Sequence, residues 1–314
     1  MINKIKLGIT GGGGYVGNVL ARKLLNLGYN VKVLDNFHKG QCDALLGLVP
    51  NPNFEFQYGD VTILEDMNKF TSDIDAVFHL AGIVGFPACD RQPYLAKSVN
   101  VDGTRNLVYY AKARNLPVVN FSSGSIYGAI PEICTEESPA NTTTLYGITK
   151  KEAEVIVNEL DRSVSLRYAT GFGLGETTRI NLLVNDLVYQ AVHNRIINVF
   201  EKNARRTFIH VQDMAEAAIL CMNKLLDNTL KYKVYNVGDN KMNCTKGSLS
   251  EMIVEKTKCF INYVEFGKDK DCRDYEVDYS KINNEGFQCK ISLSEGIDEL
   301  IKGSPLIYIR NRFE

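Results

Sequence analysis

Short runs of β-branched and aromatic residues alternate, along the first half of the chain, with stretches whose apolar residues recur at helical spacing. Two such helical stretches are YVGNVLARKLLNLG (15–28) and KSVNVDGTRNLVYYAKARN (97–115). The predicted strands are IKLGIT (5–10), NVKVLD (30–35), FEFQYGD (54–60), DAVFHLAG (75–82), VVNFSS (118–123) and SVSLRY (163–168). This alternation predicts an α/β fold with a doubly wound parallel sheet.

The pattern becomes irregular after about residue 170. We predict helices over 180–194, 212–226 and 292–303, with strand-like segments INVF (197–200), RRTFIHV (205–211) and KVYNVG (233–238) around them. A smaller mixed α/β C-terminal lobe that exchanges segments with the sheet explains this order. We therefore expect one unit of 1–170 to which 207–238 returns, and a substrate-binding lobe of 171–206 and 239–314.

A glycine-rich turn, TGGGGYVG (10–17), joins the first strand to the first helix and spaces Gly11, Gly14 and Gly17 three residues apart. Glycines there allow a tight turn and let a pyrophosphate approach backbone N–H groups at a helix N-terminus. The second strand ends in Asp35, whose carboxylate can accept hydrogen bonds from the ribose hydroxyls and would repel a 2′-phosphate. The arrangement predicts a Rossmann NAD site, although the nearby Lys39 leaves NADP open.

Composition excludes several other classes of protein. The 314 residues carry 36 basic and 37 acidic side chains, a net charge of −1 that argues against nucleic acid and membrane-surface partners. Eight cysteines without any Cys-x-x-Cys pair argue against a zinc site and a disulfide framework, so we predict no metal and reduced thiols. Neither a signal peptide nor a long apolar run is present, which predicts a cytoplasmic location.

One short motif, LYGITK (145–150), places a tyrosine and a lysine four positions apart. On a helix these two side chains share a face, so the Tyr146 hydroxyl and the Lys150 ammonium can converge on one point. Such a pair also arises by chance in a chain rich in both residue types, so the motif needs support from other segments.

Several further segments provide this support, in the order that one family shows them: GDV (59–61), HLAG (79–82), NVDGT (100–104), SSGSIYG (122–128), LRYATGFG (166–173), LLVNDLV (182–188), RRTFIHVQDMAEA (205–217) and RDYEVDYSKI (273–282). With the glycine spacing and YGITK, they resemble the extended short-chain dehydrogenase/reductase family. Within it the chain is similar to the NAD-dependent nucleotide-sugar epimerase/dehydratase branch, to which UDP-glucose 4-epimerases belong. The resemblance covers nearly the whole length.

The resemblance implies a catalytic set of Ser123, Tyr146 and Lys150. Tyr146 would be the acid/base, Lys150 would hold the nicotinamide ribose and lower the phenol pKa, and Ser123 would bond the substrate oxygen and Tyr146. Asn100 would be a scaffold residue. The cofactor-binding residues implied are Gly11, Gly14, Tyr15, Val16, Gly17, Asp35, Asn36, Asp60, Val61, Leu80, Ala81, Gly82, Tyr146 and Lys150.

For the substrate, the resemblance assigns Asn185, Arg206 and Arg273 to the diphosphate of a nucleoside diphosphate sugar, with Arg179 and Arg205 as looser candidates. Further substrate candidates are Ser123, Ser125, Thr170 and Cys89. Cys89 stands near a predicted helix N-terminus, which can lower a thiol pKa and favour a second acid/base, but such a cysteine is more often a packed core residue. Cys134, His79 and His210 are likewise expected in core or hinge positions.

Two departures from the family pattern bear on the reaction. Gly124 and Ser125 stand where 4,6-dehydratases carry an acidic pair, and Thr170 stands where an asparagine often contacts the substrate. The expected activity is therefore epimerisation of a nucleoside diphosphate sugar through a 4-keto intermediate, with hydride transfer to and from bound NAD and Tyr146 as acid/base. A 4-ketoreductase, dehydrogenase or 4,6-dehydratase is the alternative, and a non-catalytic dinucleotide-binding protein a minor one.

The family also implies a homodimer that pairs through the helix of 94–114 and the helix bearing Tyr146. The sequence itself offers only apolar residues on these helices, Val108, Ile156 and Val157, which fit a core equally well. The sequence does not fix the nucleotide base, the sugar or the pathway.

Overall fold

A computed structural model describes residues 5–39, 42–264 and 274–311, with side chains described up to 307. Its strands are β1 (Lys6–Thr10), β2 (Asn30–Asp35), β3 (Phe54–Tyr58), β4 (Ala76–His79), β5 (Val118–Ser123), β6 (Ala129–Cys134), β7 (Ser163–Tyr168), β8 (Thr170–Phe172), β9 (Ile196–Phe200), β10 (Arg205–Arg206), β11 (Phe208–His210), β12 (Val234–Val237), β13 (Cys244–Thr245), β14 (Phe260–Val264) and β15 (Asp274–Val277).

Helices connect most of these strands. They are α1 (Tyr15–Asn26), α2 (Asp43–Leu46), α3 (Leu64–Thr71), α4 (Phe86–Arg91), α5 (Pro93–Lys97), α6 (Gly103–Arg114), α7 (Leu145–Val157), α8 (Leu183–His193), α9 (Val211–Leu226), α10 (Lys246–Thr257), α11 (Ser280–Asn284) and α12 (Leu293–Asn311). A π-helical turn, Ser98–Asp102, separates α5 from α6. Within the described ranges, every helix is too short or too polar to cross a lipid bilayer.

The central sheet confirms the predicted fold class. In the described part of the chain it has seven strands in the order β3-β2-β1-β4-β5-β7-β12, and every neighbouring pair is parallel. The chain progresses outward from β1 in one direction and then from β4 in the other. A crevice opens where this direction changes, at the carboxyl ends of β1 and β4, and ligands of doubly wound folds bind in such a crevice.

Apolar helix faces cover the sheet on both sides. Residues of α1 and α9 pack on one face, and those of α3, α6 and α7 pack on the other. A third apolar cluster, formed by α8, β9, α10 and α12, lies away from the sheet. The pairs β9 with β14 and β10 with β13 accompany this cluster, whereas the pair β6 with β15 packs on the first cluster, that of α1 and α9.

Some element bounds differ from the predicted ones. The strands predicted over 54–60 and 75–82 end at Tyr58 and His79, so the residues that follow each strand lie in loops at the sheet edge. The helix predicted over 97–115 is broken by the π-helical turn, which holds the buried Asn100. Its amide bonds both the N–H and the carbonyl of Ile83, and also the Thr149 hydroxyl. Asn100 is thus a scaffold residue that joins the loop after β4 to α7.

Candidate active site

The glycine turn after β1 has no room for side chains at two positions. Gly11 has a φ of +74°, and a Cβ there would lie 2.7 Å from the Ala81 nitrogen. A Cβ on Gly17 would lie 2.3 Å from the Gly11 carbonyl oxygen. Because the obstructing atoms belong to the backbone, side chains would push the loop after β4, or the helix α1, away from the turn. Glycine therefore sets the width of the crevice between β1 and β4.

The N-terminus of α1 completes one end of the crevice. Gly14 is its N-cap residue, no side chain caps the helix, and its first turn has no acidic residue. Backbone N–H groups at such a helix end, together with the helix dipole, favour a bound anion.

Asp35 and Asp60 stand at the ends of the neighbouring strands β2 and β3. Asp35 accepts hydrogen bonds from the N–H groups of Gly13 and Phe37, both at 2.8 Å. Burial raises the pKa of Asp35, an effect that these two donors oppose. The Asn36 amide donates to the Asp60 carboxylate at 2.7 Å, so the two loops are tied together.

Ser123 ends β5, and its hydroxyl lies 3.1 Å from the Ser125 hydroxyl and accepts the Ser125 N–H. Tyr146 and Lys150 lie in the first two turns of α7, a helix that Thr144 caps by accepting the Gly147 N–H. The Lys150 ammonium donates to the Phe121 carbonyl at 2.6 Å. Burial lowers the pKa of Lys150 to about 8.

Two connected cavities meet at Tyr146. The first, the dinucleotide cavity, is lined by every residue predicted to bind the cofactor: Gly11, Gly14, Tyr15, Val16, Gly17, Asp35, Asn36, Asp60, Val61, Leu80, Ala81, Gly82, Tyr146 and Lys150. The second, the sugar cavity, is lined by Ser123, Ser125, Thr170 and the loop Val84–Phe86, among others. Both cavities share Tyr15, Val16, Val84, Ser122, Tyr146, Tyr168, Arg179 and Met214.

Cys89 does not fit the predicted role of a substrate-binding acid/base. Its side chain is fully buried, and the thiol lies 3.3 Å from the Ile83 carbonyl, to which it can donate. Burial raises its pKa to about 11, although the charges of Lys150 and Lys39 oppose this rise. It is also the fourth residue of a six-residue helix, so it does not occupy the helix N-terminus. The packed-core interpretation is the one that agrees with the structure.

Asn185 and Arg206 also lie outside the lining of both cavities. The Asn185 amide accepts the Gly173 N–H at 3.1 Å and donates to the Arg179 carbonyl at 2.9 Å, so it braces the segment before α8 instead of pointing to a ligand. Arg206 is buried and donates to the Arg205 carbonyl. The predicted Arg273 lies outside the described residues.

The two histidines occupy structural positions. His79 is buried between the hydroxyls of Thr10 and Thr104, and burial lowers its pKa to about 3. His210 accepts the Gln212 N–H at the start of α9 and pairs with Glu299 at 2.6 Å. Both agree with the core or hinge roles expected from the sequence.

Three further contacts shape the cavities, made by Phe37, Tyr15 and Arg179, and only Tyr15 belongs to a motif predicted from the sequence. Phe37 has a left-handed backbone, φ 50°, and its ring stacks on Phe56 at 5.1 Å. Tyr15 donates to the Gly173 carbonyl at 2.6 Å, which brings the segment after β8 onto α1. Arg179 was only a loose candidate, yet it lines both cavities. The position of each of these side chains depends on contacts between segments far apart in sequence, which the spacing of residues in a motif does not reveal.

The dinucleotide cavity fits NAD on three observations. Its glycine turn leaves a cradle that Cβ atoms would fill, the uncapped N-terminus of α1 favours an anion, and Asp35 places a carboxylate at the end of β2. Asp35 disfavours the 2′-phosphate of NADP. A doubly wound sheet, this cavity and a Tyr-Lys pair beside a second cavity define a dinucleotide-dependent enzyme.

Comparison with known proteins identifies the family. Residues 7–238 match the model of the NAD dependent epimerase/dehydratase family, and the chain belongs to that family. UDP-glucose 4-epimerase 2 of Arabidopsis thaliana is 31% identical over 261 residues, which cover 73% of this chain and 75% of that protein. The predicted family, the enzyme class and the NAD cofactor are thereby confirmed.

Solved structures agree on the fold. The UDP-glucose 4-epimerase of Thermus thermophilus in complex with NAD superposes with a TM-score of 0.82 at 21% identity, covering 96% of this chain and 99% of that chain. The dTDP-glucose 4,6-dehydratase of Bacillus anthracis in complex with NAD gives 0.81 at 20% identity, covering 95% and 96%. Because epimerase and dehydratase superpose equally well, the choice between these reactions has to come from the site itself.

Proposed function

We propose that the protein epimerises a nucleoside diphosphate sugar at C4, using NAD held in the dinucleotide cavity. The observation that carries this proposal is the position of Tyr146. It lines both cavities, so one phenol faces the cofactor site and the sugar site together. The relatives named as UDP-glucose 4-epimerases make uridine diphosphate sugars the first substrates to test.

In this proposal residues 1–170 and 207–238 hold NAD, and residues 171–206 and 239–314 hold the sugar nucleotide. NAD, when bound, supplies reversible oxidation and reduction at the sugar carbon. The glycine turn and the N-terminus of α1 would hold its diphosphate, and Asp35 its adenosine ribose.

The side chains at the junction of the cavities handle the proton. Tyr146 takes the proton of the C4 hydroxyl and later returns it, while Ser123 donates to the same oxygen and fixes its position. Lys150 lies four residues further along α7 and carries a positive charge below a pH of about 8, which favours the phenolate over the phenol. Hydride would pass from C4 to bound NAD and return to the other face of the ketone once the sugar has turned over, which would invert C4 and consume no external reductant.

The residues after Ser123 speak against a dehydratase. Expulsion of a C6 hydroxyl as water needs an acid, and Gly124 and Ser125 provide none. Ser125 instead bonds the Ser123 hydroxyl. A 4-ketoreductase would differ by consuming reduced cofactor from solution.

The decisive experiment identifies the nucleotide released on denaturing the purified protein, then follows a panel of uridine and deoxythymidine diphosphate sugars by NMR. We expect bound NAD and an equilibrating pair of C4 epimers without added cofactor. Tyr146→Phe should lower turnover about 100- to 10,000-fold, the range for lost acid/base catalysis. It should leave NAD content and thermal stability unchanged. Consumption of added NADH, loss of water from the sugar, or full turnover in Tyr146→Phe would each reject the proposal.

We also propose a homodimer in the cytoplasm. A groove between α6 and α7 is lined by Val108, Tyr109 and Ile156, and the side chains of Tyr109 and Val155 on these helices are 66% and 60% exposed. Pairing of these helices with a second copy would cover them. The described cysteines are free thiols, as a reducing compartment favours. Light scattering on the purified protein tests the dimer, and Tyr109→Glu should yield monomers.

A further inference from the structure

Two cations, Lys39 and Arg179, line the dinucleotide cavity. Lys39 follows β2, and Arg179 lies in the segment between β8 and α8. Partial desolvation at the cavity and the neighbouring Arg179 charge lower the pKa of Lys39, although the residue as a whole remains exposed. The exposed Lys39 side chain could turn into solvent, whereas the half-buried Arg179 side chain has fewer conformations available.

Among the described residues, the hydrogen bonds that Arg179 makes are long. Its guanidinium lies 3.4 Å from the Asn181 side-chain oxygen and 3.5 Å from the Val84 carbonyl, both at the outer limit of hydrogen bonding. In the part of the chain that the structure describes, no carboxylate forms an ion pair with Arg179 or with Lys39. A cation withdrawn from water without a counter-charge is costly, which indicates that a ligand supplies the negative charge.

The acidic residues that line the same cavity have other partners. Asp35 accepts two backbone N–H groups. Asp60 accepts the Asn36 amide and the N–H and hydroxyl of Thr62. Neither carboxylate neutralises the pair of cations, so the cavity retains a positive region next to the uncapped N-terminus of α1.

We propose that Lys39 and Arg179, together with the glycine turn, bind the diphosphate of the dinucleotide. A diphosphate carries two negative charges, which match two cations, and arginine can bond phosphate oxygens in pairs. The sugar nucleotide also contains a diphosphate. Lys39, however, lines the dinucleotide cavity and not the sugar cavity, which favours the dinucleotide.

This arrangement makes cofactor retention depend on the C-terminal half of the chain. Arg179 belongs to a segment that α1 and α8 hold in place. Tyr15 bonds the Gly173 carbonyl, and Asn185 bonds both the Gly173 N–H and the Arg179 carbonyl. Arg179 is therefore a cofactor-positioning residue contributed by a segment outside the glycine motif.

The test measures binding alone, so it does not depend on the proposed reaction. Calorimetric titrations of protein freed of bound nucleotide would use NAD, ADP-ribose, AMP and UDP as probes. We expect Arg179→Gln to weaken NAD and ADP-ribose about 10- to 100-fold, as for the loss of a charged hydrogen bond, and Lys39→Gln about 3- to 10-fold. AMP and UDP should change less than about twofold, and Arg179→Lys should recover part of the loss.

Arg22→Gln is the matched control. Arg22 pairs at 3.2 Å with Glu176, which lies in the segment between β8 and α8 that also carries Arg179. Arg22 lines neither cavity, so this variant tests whether loosening that segment is enough to weaken NAD binding. NAD affinity should stay within about twofold of that of the unaltered protein. The proposal is overturned if Arg22→Gln weakens NAD as much as Arg179→Gln, if Arg179→Gln weakens UDP but not NAD, or if AMP loses as much affinity as ADP-ribose.

Discussion

The two cavities differ in the origin of their walls. The dinucleotide cavity is formed mainly by loops that directly follow strands of one parallel sheet, so the register of that sheet fixes its shape. The sugar cavity combines the end of β5, the start of α7, β8, the loop Val84–Phe86 and Met214 of α9. These pieces come from distant parts of the chain and are held by side-chain contacts. We infer that the first cavity is rigid and set by local geometry, whereas the second is set by long-range packing.

The strongest test of the rigid cavity is Gly17→Ala. The added Cβ would lie 2.3 Å from the Gly11 carbonyl oxygen and 2.7 Å from the Gly12 Cα, and backbone atoms in a tight turn cannot give way. We expect a loss of about 1–3 kcal/mol in the free energy of unfolding, as for overpacked cores, and at least about 100-fold weaker NAD binding. Denaturant titration and calorimetry would measure the two effects.

Gly14→Ala provides the stability control for that variant. Its Cβ would contact only the Gly11 carbonyl oxygen, at 3.3 Å, and its φ of −73° suits alanine. The unfolding free energy without NAD should change by less than about 0.5 kcal/mol. Equal destabilisation by both variants would mean that the turn is not constrained as we describe.

A second test uses pH at the junction of the cavities. Below about pH 8 Lys150 is protonated in the folded and unfolded protein alike, and the folded state bears the cost of a buried charge. Between about pH 8 and the ordinary lysine value of about 10.5, the folded protein has lost a proton that the unfolded chain still binds, so stability rises with pH. Relative to Lys150→Met, the free energy of unfolding should rise by up to about 3 kcal/mol across this range.

Turnover should follow the opposite trend. Above a pH of about 8 the loss of the Lys150 charge removes its support for the Tyr146 phenolate, so we expect kcat to fall with pH while stability still rises. Measuring both on the same preparation separates the two effects. A turnover that stays level up to pH 10 would contradict the role given to Lys150.

The last test concerns the packing of the second cavity, where we expect a loss of stability without the loss of NAD affinity given for Gly17→Ala. Asn185→Ala leaves the Gly173 N–H and the Arg179 carbonyl without partners, and we expect a loss of about 1–3 kcal/mol in the free energy of unfolding. Asn181→Ala, in the same segment, is the control because Asn181 is exposed and accepts only the long bond from Arg179. If Asn185→Ala instead lowered UDP affinity at unchanged stability, the family role as a diphosphate ligand would be right.

The sequence predicted the rigid cavity far better than the packed one. Strand ends, the glycine spacing and Asp35 are local features, and the parallel sheet converts their positions into one site. Spacing did not reveal the contacts of Asn185, because its partners, Gly173 and Arg179, are brought to it by the packing of α8. Spacing could not assign Arg179 to both cavities either. The walls opposite it come from α7 and from the loop that follows β4, and both are distant from Arg179 in sequence.

The break in the helix before Gly103 was missed for a similar reason. Apolar spacing continues through 97–115, so periodicity alone predicts one helix. The π-helical turn allows the Asn100 amide to reach Ile83 and Thr149, which belong to elements on either side of it. The tertiary hydrogen bonds of Asn100 therefore override the helical periodicity of 97–115 at this position.

The last strand of the sheet, β12, has a consequence for biosynthesis. All six residues of β7 are buried, and β7 obtains its outer hydrogen-bond partner only from β12, which is translated long after it. A ribosome-bound chain that has just completed β7 exposes a strand whose outer edge has unpaired backbone groups, the type of surface that promotes intermolecular strand pairing. Because of this strand order, we expect the chain to need chaperone protection during this interval and a fragment that stops at residue 170 to aggregate.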